Sequence, residues 1–145
     1  MYNMKGLFFL LIAGFVWIGC SKPDKTTTTE IPAADLIDTS QGAVKFSGNF
    51  VSAPGESVSG KALVLLKGGI YTLALESTAI VNGPDLHVYL GKDKSAVNFI
   101  DLGKLKSTNG NQVYAINGNP DFTQYKYALI YCQQYNVLFG SAELK

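Results

Sequence analysis

The side chains best suited to redox and metal chemistry near neutral pH, cysteine and histidine, are scarce in this chain. It has two cysteines, Cys20 and Cys132, and one histidine, His87, and both of its methionines precede Cys20. A blue-copper site needs two histidines and a cysteine, and a cysteine-ligated iron–sulfur cluster needs four thiolates, so the chain after Cys20 supplies neither set. No C-x-x-C-H motif for covalent haem attachment is present. Chemistry in the body of the protein therefore rests on one thiol and one imidazole.

Cys132 lies in the run "ALIYCQQY", where an apolar, strand-like segment is followed at once by two polar residues. Two interpretations stay open. A free cysteine often behaves as a small hydrophobic residue of the core, and a thiol buried there is inert. A thiol at a strand end can instead line a pocket and ionise, as redox chemistry requires. We expect the sulfur to be partly accessible from a cleft near Gln133 and Tyr135.

His87 lies in "DLHVYL", where apolar residues alternate with others. In a strand, this alternation turns Leu86 and Val88 toward the core. His87 then lies on the opposite, wetter face with Asp85 and Tyr89, where a solvated or hydrogen-bonded histidine is expected before a cofactor ligand. No serine stands in a nucleophile-elbow motif, so this face does not indicate a hydrolase triad. The sequence contains no recognisable catalytic constellation and leaves open whether the protein is an enzyme.

The charge of the chain argues against nucleic acid as a partner. All 12 basic residues are lysine, and the net charge at pH 7 is only +1. Without arginine there is no planar guanidinium fork for bidentate contacts to phosphate. Counterion release along a nucleic acid needs a basic patch, and the sequence shows no such patch interleaved with aromatic residues.

The N-terminal segment predicts export. After Lys5 come 14 residues without a charge, "GLFFLLIAGFVWIG", and then Cys20. As a helix this stretch is too short to cross a hydrocarbon core of about 30 Å, but it has the length of a signal-peptide hydrophobic region. Its end, "VWIGC", resembles the lipobox of bacterial lipoproteins, with Gly19 before the cysteine and Trp17 in place of the usual leucine. We expect a signal peptide at 1–19 and lipidation of Cys20; the alternatives are an uncleaved anchor or an ordinary signal peptide cut nearby.

Residues 20–42 are expected to form the lipidated N-terminus and a flexible tether. The segment "SKPDKTTTTEIPAAD" has four consecutive threonines, two prolines and scattered charges, so it has no apolar face to bury. The folded domain is expected over residues 43–145. This arrangement predicts a protein of the cell envelope, held on a membrane by its lipid anchor, with the domain exported.

From residue 43 onward, short apolar or alternating runs are separated by turn residues. In "IYTLALES", Tyr71, Leu73 and Leu75 share one face, which is the period of two typical of a half-buried strand. No run of comparable length shows the 3.6-residue period of a helix. We predict an all-β fold, a single antiparallel β-sandwich or barrel of about eight short strands. The predicted strands are "AVKFSGNFV", "SVSGKALVLLK", "IYTLALES", "DLHVYLG", "AVNFIDL", "NQVYAIN", "KYALIYCQ" and "NVLFGSAEL".

Several ordered motifs of this region resemble one known family. They are "GNF" at 48–50, "VSG" at 58–60, "NGPDLHVYL" at 82–90, "DLGKLKSTNGNQVYAI" at 101–116 and "YKYALIYCQQYNVLFGSAEL" at 125–144. Together they extend over nearly the whole predicted domain. On these motifs the domain is similar to the DM-thirteen domain, often called an electron-transfer domain.

The resemblance implies redox chemistry through a single cysteine, which falls on Cys132; Tyr131 precedes it, where the family often has tryptophan. In the family this cysteine is proposed to act as a bare thiol or by holding a prosthetic group such as haem. With the residues present, a non-covalent haem would have one protein ligand, Cys132 or His87. The expected function is an electron-transfer or thiol redox module with an envelope protein as its partner. The alternative is a non-catalytic surface binding or structural module in which Cys132 is core packing.

Overall fold

The computed structural model describes residues 42–145, which form eight β-strands and no helix. The eight strands expected from the sequence are confirmed, each with ends within a few residues of the prediction. Within this range no helix is long and apolar enough to cross a membrane. The predicted signal peptide, Cys20 and the predicted tether up to residue 41 lie outside the described residues. The strands are β1 (Ala43–Ser52), β2 (Val58–Lys67), β3 (Ile70–Ile80), β4 (Leu86–Gly91), β5 (Phe99–Lys104), β6 (Asn109–Ala115), β7 (Tyr127–Cys132) and β8 (Val137–Glu143).

The strands form one antiparallel sheet in the order β5-β4-β7-β8-β1-β2-β3-β6. β1 joins the two halves of the sheet, because residues 43–49 pair with β2 while residues 50–52 pair with β8. The sheet curves until its end strands, β5 and β6, contact each other without pairing. The predicted all-β fold is confirmed, and it takes the form of a nearly closed barrel.

The inside of the barrel is filled by apolar residues that alternate along the strands. Side chains such as Val64, Leu73, Leu75 and Ile130 are fully buried. Removing one such side chain from water stabilises the fold by about 1.5 to 3 kcal/mol. Cys132 belongs to the same cluster of buried residues. The thiol of Cys132 is therefore part of the barrel core.

The two largest differences between predicted and observed strand boundaries occur where the backbone is irregular. β3 continues to Ile80 through a bulge at Ser77, which has a positive φ of 49° and whose N–H donates to Asn111 Oδ1 at 2.6 Å. The sequence pattern ended this strand at Ser77. β5 begins at Phe99 and not at Ala96, because Ala96 has a positive φ of 53° that is incompatible with a regular strand.

A bulge in β5 decides which of its side chains face outward. Along a regular strand Asp101 and Lys104 would face opposite sides of the sheet, because successive residues alternate. The extra residue, Leu102, shifts the register, so that Asp101 lies opposite Tyr89 and Lys104 lies opposite His87. Both charged side chains therefore reach the same outer face of the barrel.

Candidate functional site

Strands β4 and β7 lie side by side, and each presents one face to the barrel interior and the other outward. Leu86 and Cys132 lie directly opposite each other on the inner face. His87 and Tyr131 lie opposite each other on the outer face. The two residues singled out for chemistry, His87 and Cys132, are thus on neighbouring strands but on opposite faces, and the fold does not bring their side chains together.

Cys132 is enclosed in the core. It is a free cysteine with 0% of its surface exposed, and its neighbours across the sheet are Leu86 on β4 and Val137 on β8. Gln133 lies on the outer face, and Tyr135, in the turn between β7 and β8, is 64% exposed. The prediction that the sulfur is accessible from a cleft near these two residues is therefore wrong. Gln133 is polar because it faces outward, and Tyr135 because it is exposed. Neither residue indicates a cleft that leads to the thiol.

The imidazole of His87 is held between two carboxylates. Its Nδ1 lies 3.1 Å from Asp101 Oδ2 and 3.2 Å from Oδ1, and its Nε2 lies 3.5 Å from Asp85 Oδ1. The prediction that His87 faces outward and is hydrogen-bonded is confirmed. This face is wetter than the inner one, as expected, but only slightly at its centre, since His87 is 9% exposed and the neighbouring Tyr89 is more deeply buried. Both ring nitrogens face a carboxylate, but Nδ1 alone lies within hydrogen-bond distance of one.

Asp85 connects this imidazole to a solvent-exposed cation. Its Oδ1 lies 3.0 Å from Nζ of Lys104. The hydrogen bond from Lys104 lowers the pKa of Asp85 below its ordinary value, against the opposing effect of desolvation. Asp85 is therefore ionised at neutral pH and attracts the edge of the His87 ring.

Tyr89 is the buried centre of the outer face, with 1% of its surface exposed. Its Oη accepts a hydrogen bond of 2.6 Å from Gln133 Nε2. The same amide nitrogen lies 3.1 Å from Asp101 Oδ2 and 3.2 Å from His87 Nδ1. Burial raises the pKa of the Tyr89 phenol above its ordinary value, so the phenol is protonated at neutral pH. One amide thus joins a phenol, a carboxylate and an imidazole. We call the whole set the outer cluster: Asp85, His87, Tyr89, Asp101, Lys104 and Gln133.

Three aromatic rings extend from solvent to the residue beside Cys132. Phe99 is 38% exposed, and its ring stacks on Tyr89 with centroids 4.0 Å apart and planes 18° apart. The ring of Tyr131 lies on the other side, with its centroid 5.5 Å from that of Tyr89. Tyr131 directly precedes Cys132 in β7. We call Phe99, Tyr89 and Tyr131 the aromatic stack, and it gives the buried phenol a contact with the surface.

Sequence reasoning missed Tyr89, Gln133 and Asp101 as a unit. The run "CQQY" did contain a signal, because a polar residue two positions after an outward-facing tyrosine of the same strand faces outward too. No local pattern announces the bulge that turns Asp101 and Lys104 to one side.

The described residues do not fit a haem ligated by Cys132 or His87. An iron ligand needs free space beside it for the macrocycle, whereas Cys132 is packed among core side chains and His87 has a carboxylate at each nitrogen. A cavity of about 290 Å³ lies near the start of β4. Its walls are residues 82–86 and 104–108, which include neither candidate ligand. Over residues 42–145, no three or more histidine, cysteine, aspartate or glutamate side chains are grouped so that they could hold a metal ion.

In a comparison with known protein families, a family model described as "Electron transfer DM13" matches residues 49–144. This range runs from within β1 to just past the end of β8, so it includes the outer cluster, the aromatic stack and Cys132. No curated protein and no solved structure matches the chain.

Proposed function

The chain belongs to the electron transfer DM13 family, and on that premise we propose that its barrel domain passes electrons to and from a redox partner. The observation that carries the proposal is the family match, which extends over nearly all of the described fold. The chemistry on which it depends belongs to side chains, since a thiol and a phenol are both able to give up an electron. The domain has both, on opposite faces of β7 and β4.

The family resemblance assigns the redox role to Cys132, and its burial sets a condition on that role. An enclosed thiol cannot meet an oxidant or another thiol while the strands around it are closed. Reaction at Cys132 therefore requires local opening of β4, β7 or β8, which occurs at a rate set by the stability of that region. The geometry supports slow, opening-limited thiol chemistry at this position and not rapid exchange.

The proposed setting is the cell envelope. A lipid on Cys20 would hold the domain at a membrane surface, and its electron partner would be another envelope protein. The support for this is the charge-free run and the "VWIGC" sequence at the N-terminus. The intact mass of the protein extracted from membranes tests it, since lipidation predicts a chain that begins at acylated Cys20. A chain found without lipid would remove this part of the proposal.

A second candidate function is favoured by the complete burial of Cys132. In that case the domain is a non-catalytic surface binding or structural module, and the cysteine is one more small side chain of the core. This function predicts a domain that stays folded when Cys132 is replaced and that exchanges no electrons.

Protein-film voltammetry on the full chain tests the proposed function. We expect a reversible wave that depends on the folded protein and disappears after denaturation. The absence of any wave, together with failure to exchange electrons with small one-electron mediators, would contradict electron transfer and leave the binding module.

Labelling of the thiol tests the condition on Cys132. The Cys20→Ser variant is the right background, because Cys132 is then the one cysteine of the chain. We expect a maleimide to react at the rate of opening and to speed up in mild denaturant. Labelling as rapid as that of a free thiol in the native state would show that the barrel does not enclose the sulfur.

A further inference from the structure

One-electron oxidation of a phenol requires a route for the electron and a base for the proton, and Tyr89 lies close to both. Its ring stacks on Phe99, which is 38% exposed, at a centroid distance of 4.0 Å. Its Oη and the carboxylate of Asp101 both contact Gln133 Nε2, at 2.6 Å and 3.1 Å. A phenol that loses an electron becomes a very strong acid, so the electron and the proton must leave together.

We propose that Tyr89 is a redox-active tyrosine, which gives one electron to a strongly oxidising one-electron centre of a partner protein, such as a high-valent haem, and takes it back. This inference rests on the proposed electron-transfer function and names the side chain that carries the electron. It assigns to the outer cluster a role that neither the sequence motifs nor the position of Cys132 suggest.

The electron and the proton that leave Tyr89 are each taken up by a named group. The O–H bond of Tyr89 breaks, its electron passes to the partner's oxidised centre, and that centre is reduced. The proton forms a new O–H bond on Asp101. Because the Gln133 amide donates to both oxygens, it cannot carry the proton itself. The step therefore requires this partly exposed side chain to rotate aside, so that the phenol O–H meets the carboxylate directly. The products are a neutral tyrosyl radical and a protonated carboxyl group. Return of the electron from the reduced partner reverses both changes.

The carboxylate of Asp101, the group that would accept the proton, is held in place by two neighbours. The Gly103 N–H donates to its Oδ1 at 2.8 Å, and His87 Nδ1 lies 3.1 Å from its Oδ2. Its side chain is 37% exposed, so a proton taken up there can equilibrate with solvent. Gly103 adopts a positive φ of 109° next to the bulge, a conformation that favours glycine and that brings its N–H toward the carboxylate.

Tyr114 is the matched control inside the same barrel. It is buried too, and burial raises the pKa of its phenol. Its Oη donates to Gln112 Oε1 at 2.7 Å and accepts from the Lys106 N–H at 3.0 Å. The acceptor of its proton is therefore an amide oxygen, which is a much weaker base than a carboxylate. The Lys106 ammonium lies 4.8 Å from its ring centroid, and a cation over the ring opposes the loss of an electron. Tyr114 is therefore expected to stay reduced where Tyr89 is oxidised.

The test is photo-oxidation of the full chain by flash-generated tris(bipyridine)ruthenium(III), with the radical trapped and identified by electron paramagnetic resonance. We expect a neutral tyrosyl radical that outlives the radical formed at exposed Tyr135, because burial keeps it from coupling to other radicals. The long-lived signal should be lost in Tyr89→Phe and retained in Tyr114→Phe and Tyr135→Phe. It should also be retained in Cys132→Ala.

Two further variants keep the inference testable if Tyr89→Phe does not fold, as judged by circular dichroism. Asp101→Asn keeps the shape of the side chain but removes the base, and should slow formation of the radical on the order of 100-fold, the usual contribution of a general base. Phe99→Leu should slow it as well, because the stacked ring at the surface is lost. A long-lived signal that is unchanged in Tyr89→Phe or Asp101→Asn would overturn the proposal.

The outcome also separates this inference from the function on which it rests. If the wild-type chain exchanges electrons in voltammetry but Tyr89→Phe does so equally well, Tyr89 is not the carrier and the proposed function survives. If the wild-type chain gives neither a wave nor a long-lived radical, both fail.

Discussion

Both faces of the β4–β7 pair bury their central side chains, but they differ in the chemical groups that surround those side chains. On the inner face, Cys132 and Ile130 are enclosed among apolar side chains. On the outer face, Tyr89 and His87 are nearly as well buried, yet amide, carboxylate and imidazole groups surround them. The comparison shows that burial alone does not decide reactivity. A buried group can change charge only where a partner for its proton is within reach.

The largest expected effect is at the inner face. Ile130→Ala should lower the free energy of unfolding by about 2 to 5 kcal/mol, because it leaves a cavity in a fully buried site. Val97→Ala, at a residue that is 73% exposed, is the control and should change it by no more than about 0.5 kcal/mol. Equal effects in urea denaturation would mean that the interior is not packed as described.

The next effect sharpens the contrast at the outer face. His87→Ala removes the imidazole that contacts Asp101 and leaves a largely buried network incomplete, which should destabilise the fold by about 1 to 3 kcal/mol. The loss should be smaller in the presence of Asp101→Asn, since the two residues act through one contact. A double-mutant cycle measures this, and additive losses would show that the contact contributes nothing.

Substitutions of Cys132 are expected to cost less stability, by an amount that depends on the polarity of the new side chain. Cys132→Ser places a hydroxyl in the apolar core and should cost about 1 to 3 kcal/mol if it finds no partner. Cys132→Ala leaves only a small cavity and should cost about 1 kcal/mol. Thermal unfolding of the two variants checks the order. A serine variant more stable than the alanine variant would indicate a polar partner for this position.

The pattern of alternation in the sequence was enough to predict the strands, but not the outer cluster. Period-two alternation is a local property, and it predicted all eight strands and the correct face for His87. Whether a face is wet depends on what the rest of the chain places over it. Here Phe99 and Gln133 come from other strands or from beyond a strand end, and they cover Tyr89.

The side of the sheet on which Asp101 lies could not be predicted from the sequence. Its side depends on the one-residue bulge at Leu102, and nothing in the spacing of charges along β5 shows an extra residue. The error on access to Cys132 has a related cause. In the sequence, the polar residues after it suggest a pocket, whereas Gln133 lies on the opposite face.

The smallest expected effect concerns alkaline pH and depends on the buried phenols. Burial raises the pKa of both Tyr89 and Tyr114 above the ordinary value of 10.0, so both stay protonated in the folded state when the unfolded chain already ionises. Their contribution to stability is complete below the unfolded pKa and is lost as pH rises from there through the folded pKa. Tyr89→Phe should make the loss of stability above pH 10 shallower in chemical denaturation at a series of pH values. An unchanged slope would mean that the phenol is not desolvated.

Voltammetry of two variants side by side tests the central claim most directly. Cys132→Ala changes only the inner face, and Tyr89→Phe removes one oxygen from the outer face. The account predicts that the reversible wave of the full chain survives in Cys132→Ala and is lost in Tyr89→Phe, with both variants folded. A wave that is lost in Cys132→Ala and kept in Tyr89→Phe would contradict it and return the redox role to the buried thiol.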